Sequence, residues 1–192
     1  MLNSGMLWST TIDGYLYQML YDGGNGVGMA LATDTPLGQK YKEAELRVIS
    51  RIENVMGWSA VVSGKAGTTD ALFHVNGELV EAGEVKCRKM TIDRLHKWGS
   101  YMISASKIKR GRYLARALGV PFGIWTTAYL SPGSPIILFW PVCDEDGKYR
   151  EELLDQYGEI RQRTRETQYD IYGGKKRDQV VEMPITMYEK LT

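Results

Sequence analysis

An Asn-Gly pair, Asn76-Gly77, stands between two runs of strand-forming residues, DALFHV (70–75) and LVEAGEVKCR (79–88). Two-residue loops of this composition close type I′ hairpins, because both positions take positive φ. The pair therefore commits residues 68–89 to two antiparallel strands. The first carries Asp70, and the second carries Glu84 and Lys86. Side chains alternate along a strand, so Glu84 and Lys86 share one face while Val85 and Cys87 take the other. A regular ladder would pair Val75 with Glu78, and hence Asp70 with Gly83, turning Asp70 away from Glu84. A one-residue bulge brings them together. Gly83, at an unfavoured strand position, is where the sequence places that bulge.

Residues 41–56 read as a helix with Ile49, Ile52 and Met56 on one face. At about 100° per residue these three lie within roughly 40° of Glu45. A carboxylate in an apolar stripe is costly without a partner. Glu45 either escapes to solvent at the helix start or points at a site. Gly57 ends the helix. A strand follows at 58–63, then a polar loop, 63–69, holding Ser63 and Lys65. Residues 91–119 read as largely helical, with Asp93 near the N-cap and Gly99 or Gly111 dividing the segment. Strands are expected at 122–130 and 136–142, joined by a turn at 131–135, with Pro141 marking a strand end or sheet edge.

The flanks differ in character. Residues 1–39 read as an N-terminal arm, 40–142 as the core, and 143–192 as a charged C-terminal extension packed on it. The glycine-rich stretch 22–28 lacks the lysine and GK[ST] ending of a phosphate-binding loop, and reads as linker. In the extension, 151–165 is expected to be a helix, 173–177 a basic loop, and 179–191 a strand or short helix.

Net charge is only +1, but it is segregated. Lys86, Arg88, Lys89, Arg94, Lys97, Lys107, Lys109, Arg110, Arg112 and Arg116 follow one another against one acid, Asp93. A basic run in a near-neutral chain suggests a polyanion on one surface; a solvated helix face is the alternative. Two cysteines exclude a disulfide framework and a zinc cluster, and fit a reducing, cytoplasmic setting. No apolar run reaches ~18 residues, so no membrane span is expected. No basic start followed by an apolar core marks a secretory signal.

From residue 41 the order helix, strand, strand, strand, helix, strand predicts a mixed α/β sheet. With Glu45 in the helix, Asp70 opening the second strand and Glu84-Val85-Lys86 in the third, the chain resembles the PD-(D/E)xK nuclease superfamily over roughly 41–130. The run through Gly57-Trp58, Ser63-Gly64, Asp70 and Glu84-Val85-Lys86 is most similar to archaeal-type Holliday junction resolvases. Thr69 stands where the motif has proline, and no glutamine occurs in 90–120, where related nucleases often carry a supporting residue.

The resemblance implies a restriction-endonuclease-like αβββαβ core, its mixed central sheet flanked by helices; the N- and C-terminal extensions of this chain have no counterpart in it. It implies an Mg²⁺-dependent DNA endonuclease, Mn²⁺ substituting, with a place in DNA recombination and repair. Asp70 and Glu84 would bind the metal with the Val85 carbonyl, since Mg²⁺ takes oxygen ligands. Glu45 would hold a water or a second metal. Lys86 would position the attacking water and steady charge on the phosphate. Glu84 and Lys86 as a solvent-facing pair on an edge strand is the bland reading. Ser63, Lys65, Arg88, Lys89, Lys97, Lys107, Lys109, Arg110 and Arg112 are the candidate nucleic-acid contacts, gripping backbone rather than reading bases. Symmetric cutting would need a homodimer, with strand 136–140 and the N-terminal arm as candidate interfaces. The alternatives are a restriction-like or nicking nuclease with sequence preference, an inactive DNA-binding protein on the same fold, and an RNA-processing enzyme.

Overall fold

Helix α1 (Pro36–Met56) opens on proline, whose missing N–H costs nothing at a first helical position, and closes at Gly57 with φ 67°. It begins five residues before the 41–56 periodicity predicts. These coordinates come from a computed structural model that describes residues 36–63, 69–130, 134–167 and 176–191. Residues 1–35 of the expected arm 1–39, Lys65, most of the 173–177 loop and residues 131–133 of the turn lie outside the described residues, as does the Lys89 side chain; residues 36–39 belong to α1 rather than to an arm.

After α1 come β1 (Ser59–Val62), β2 (Ala71–Val75), β3 (Glu78–Thr91), α2 (Ile92–Trp98), β4 (Ser100–Ser104), α3 (Ala105–Leu118), β5 (Phe122–Tyr129), β6 (Pro135–Cys143), β7 (Arg163–Thr167), β8 (Lys176–Pro184) and β9 (Glu189–Leu191). Six strands form a mixed sheet in the order β1-β2-β3-β5-β6-β9, and β4-β8-β7 form a second, antiparallel sheet. Among the described residues only β3 and β5 pair in parallel, through the crossover that contains α2, β4 and α3. The protein is therefore α/β with a mixed central sheet.

The hairpin forms as the Asn-Gly pair dictates, with Asn76 at φ 52° and Gly77 at φ 86°. Its ladder contains one bulge, but not at Gly83. Phe73 pairs with Glu81 and His74 with Leu79, so Val80 is the extra residue. Gly83 has a packing reason instead. A Cβ there would lie 2.7 Å from the Phe73 ring and 2.9 Å from Trp125. Those two rings and Trp58 pack tilted or edge-on to one another, at centroid distances of 5.6 to 6.0 Å. Val48, Ile49 and Ile52 of α1 close over them, with Ala71, Val85 and Ile137. Each large side chain buried here contributes about 1.5–3 kcal/mol.

The same face holds one buried carboxylate, Glu81, whose partner is the Trp125 indole N–H. Burial pushes the Glu81 carboxyl up to about 8, the indole hydrogen bond pulls it back, and Glu189 adds to the rise. A raised carboxyl favours the folded state while protonated. Its contribution is complete below the unfolded value of 4.5 and is lost as pH rises towards 8. Wild-type stability to urea should therefore fall between pH 5 and pH 8, by at most about 1.4 kcal/mol per pH unit from this group. Glu81→Gln keeps an acceptor for Trp125 and should flatten that slope; an unchanged slope would contradict the assignment.

Residues 91–119 are not one helix. Thr91 caps α2 by accepting the Arg94 N–H, and Gly99 at φ 71° closes it. The next five residues form β4, burying Tyr101 and Ile103 and pairing with β8. Gly111 does not interrupt α3. A Cβ there would lie 2.2 Å from the Phe122 ring, so its absence lets α3 settle on β5. Pro141 lies within β6, next to an irregularity at Phe122/Gly123.

The expected helix at 151–165 is also absent. Glu151–Leu153 make a single 3₁₀ turn. The Asp155 carboxylate then accepts the N–H groups of Tyr157 and Glu159, holding a turn that Gly158 completes at φ 73°. Arg163 and Arg165 of β7 pair with Glu182 of β8. Strand 136–140, a candidate dimer surface, is interior: Ile137, Leu138 and Trp140 are fully buried, with β5 on one side and β9 on the other.

Candidate metal and phosphate site

Three elements deliver the acidic residues to one point. Glu45 comes from α1, one turn before the Val48–Ile49 contact with the core. Asp70 stands just before β2, its N–H bonded to the Gly83 carbonyl and its Oδ2 accepting the Val85 N–H at 2.9 Å. Glu84 lies inside β3 and is 1% exposed. Because Val80 is bulged, Asp70 and Glu84 reach the same cation.

That cation is the ammonium of Lys86. Its Nζ lies 2.8 Å from Glu84 Oε1, 3.1 Å from Asp70 Oδ2, 3.3 Å from Glu45 Oε1 and 2.9 Å from the Val85 carbonyl oxygen. Burial alone would lower the Lys86 pKa, but Glu84, Asp70 and Glu45 together raise it. Burial raises the Glu45 carboxyl, with Lys86 drawing it back. A second ammonium, Lys107 near the start of α3, stands 3.0 Å and 3.1 Å from the two oxygens of Glu84. The cluster thus sets three carboxylates against two ammonium groups. The contacts of Glu84 Oε1 are ionic but off the hydrogen-bonding direction, and this buried atom has no aligned donor.

The oxygen set suits a hard divalent cation: carboxylates and one carbonyl, without sulfur or imidazole. Among the described residues no three His, Cys, Asp or Glu side chains stand as a ready cage. The three carboxylates converge instead on Lys86 Nζ, at distances suited to an ammonium. Coordination of Mg²⁺ would bring its oxygens to about 2.1 Å, closer than any of them stands to Lys86 Nζ.

Other side chains hold this frame. The Thr69 hydroxyl donates to the Gly83 carbonyl, tying the residue before Asp70 onto β3. Thr126 donates to the Lys86 carbonyl at 2.7 Å and accepts from Tyr101. Ser63, a candidate phosphate contact, donates its hydroxyl to the Thr69 carbonyl, and its N–H bonds Asp70 O. Ser63 therefore fastens the chain ahead of Asp70. No local pattern announces Thr126 or Tyr101, because each meets the site only through sheet packing.

The basic run divides. Lys97, Lys109 and Arg110 are exposed. Arg88 and Arg112, expected to grip nucleic acid, are engaged internally. Arg88 lies 4.4 Å over the Tyr101 ring and donates to the Met102 carbonyl. Arg112 donates to the Gly147 carbonyl and covers Tyr149. Lys107, placed with the same group by sequence, is the counter-ion of Glu84. Cys87 and Cys143 are both free thiols. Among the described residues no helix is long and apolar enough to cross a membrane.

Neither a protein-family model nor any curated protein sequence gives a significant match to this chain.

Proposed function

We propose that the protein is a divalent-metal-dependent DNA endonuclease built on a restriction-endonuclease-like core. One observation carries the reading: oxygens of Glu45, Asp70, Glu84 and Val85 converge on a single cation position, 2.8–3.3 Å from Lys86 Nζ. The element order α1-β1-β2-β3 followed by helices and β5 supports the fold assignment.

Asp70, Glu84 and the Val85 carbonyl would hold Mg²⁺ or Mn²⁺. A divalent ion there would polarise the scissile phosphate and make water acidic enough to attack near neutral pH. Glu45, at the rim and raised by burial, orients a water and takes its proton. Lys86 sits close enough to neutralise charge building on the phosphate. Lys107 balances the charge of Glu84 and holds its carboxylate through both oxygens. Branched DNA is the preferred substrate and a homodimer the preferred assembly, both resting on the resemblance to junction resolvases.

The test is a cleavage panel with Mg²⁺ on four-way junction, flap, duplex and single-stranded DNA, and on RNA. Cutting of junctions or flaps supports the reading. Cutting of duplex at a fixed sequence moves it to the restriction-like alternative. Cutting of RNA alone, or of nothing, overturns it.

Lys109, Arg110 and Arg116 are exposed on α3, and the first two lie nearest Lys107 in the chain. The double variant Lys109→Ala/Arg110→Ala should weaken DNA binding by roughly tenfold and reduce the salt slope by about 2. Arg112→Ala should leave binding unchanged and cost about 1–2 kcal/mol of stability, since it strips a hydrogen bond and a ring contact. Fluorescence anisotropy across a salt series distinguishes the two; equal loss in both variants would contradict the division.

A further inference from the structure

The two lysines on Glu84 are not equivalent. Among the described residues Lys107 pairs with Glu84 alone, through both carboxylate oxygens. Lys86 Nζ touches all three oxygens that would hold a metal, those of Asp70, Glu84 and the Val85 carbonyl, and Glu45 Oε1 besides. An ammonium and a divalent ion cannot share that point. Mg²⁺ draws its oxygens to about 2.1 Å, which leaves no room for an amine among them. Lys86 is also a quarter exposed, so its four-carbon stem has an open side to swing into. Glu84 Oε1 is buried and has no aligned hydrogen-bond donor, although both ammonium groups stand within 3.0 Å of it.

Resting on the nuclease reading, we infer that Lys86 is a resident plug of the cation site. Divalent metal displaces its ammonium outward, and Lys107 stays on Glu84 as the permanent counter-ion. Exchange keeps the cluster occupied at every stage. Without metal the three carboxylates are held by Lys86 and Lys107; with metal they are held by the ion and Lys107. The released ammonium stands beside the ion, on the open side where a phosphate would approach. Metal entry and the arming of Lys86 are thus one event. A ligand shifts such an equilibrium only through unequal affinity for the two arrangements, and here the plugged arrangement has no vacant site at all.

The experiment is a Mg²⁺ titration of the full chain labelled with ¹³Cε-lysine, followed by the lysine methylene resonances and by calorimetry. Lys86→Arg and Lys107→Arg assign the two signals, and Asp70→Asn shows which calorimetric heat belongs to the site. The Lys86 signal should move and sharpen towards the exposed lysines as the site fills, while the Lys107 signal stays nearly fixed. Site binding with an unmoved Lys86 signal overturns the plug and leaves the metal site standing. Site binding with both lysines released overturns the division between them. Absence of Asp70-dependent binding at millimolar Mg²⁺ and Mn²⁺ overturns the plug together with the metal-dependent reading.

Discussion

Asp70→Asn should give a folded protein whose Mg²⁺-dependent DNA cleavage is lower by about three orders of magnitude or more. Asparagine retains an oxygen to accept the Val85 N–H, so the end of β2 keeps its tie to β3. Lys86 keeps Glu45 and Glu84, so no buried ammonium is stranded. Thermal midpoint should thus change by only a few degrees. What is lost is one of two anionic ligands, together with part of the attraction that draws a divalent ion to the site and displaces Lys86. Metal affinity and cleavage should fall together, and raising Mn²⁺ should recover part of the activity. Cleavage within tenfold of wild type would remove Asp70 from the chemistry. Circular dichroism and a melting curve on the same preparation separate this from unfolding.

Gly111→Ala should destabilise the protein by about 1–3 kcal/mol, against the usual direction for a helix interior. In an exposed helix, replacing glycine by alanine stabilises by about 1 kcal/mol. Here the new methyl would lie 2.2 Å from the Phe122 ring. Phe122 is itself buried in β5, so the ring has nowhere to retreat. Either α3 lifts from the sheet or the ring leaves its rotamer. Lifting α3 also moves Lys107, four residues earlier on the same helix, away from Glu84. Urea denaturation measures the loss; neutral or higher stability would show that α3 does not press on β5 at this point. Gly57, with no atom within 4 Å of its would-be Cβ but φ 67°, serves as a control in which strain is conformational.

Sequence reading succeeded where the cause was local. Asn76-Gly77 dictates its own turn, and the position of Glu45 on α1 follows from helical geometry. That a bulge was needed followed from the turn; that it falls at Val80 did not. Glycine at 83 has no bulge to explain it, only the rings of Phe73 and Trp125 above it, and those meet through packing of three strands. Tertiary partners account for the other departures. Ser100–Ser104 becomes a strand because β8, far downstream, supplies its ladder. Strand 136–140 looked like an interface because β9 is too short to be read as its neighbour. Arg88 and Arg112 looked like free cations because Tyr101, Met102, Gly147 and Tyr149 are distant in sequence. Lys107 was read as a phosphate contact because nothing in sequence shows that the start of α3 overlies Glu84.

The central claim is that Glu45, Asp70, Glu84 and the Val85 carbonyl form one cation site that a divalent metal enters. Wild-type crystals soaked in Mn²⁺ and measured at an anomalous wavelength test it most directly. The account predicts an anomalous peak about 2.1 Å from oxygens of Asp70, Glu84 and Val85, with Lys86 Nζ withdrawn from them. A saturating soak that leaves Lys86 on its four oxygens, or places Mn²⁺ elsewhere, would contradict it.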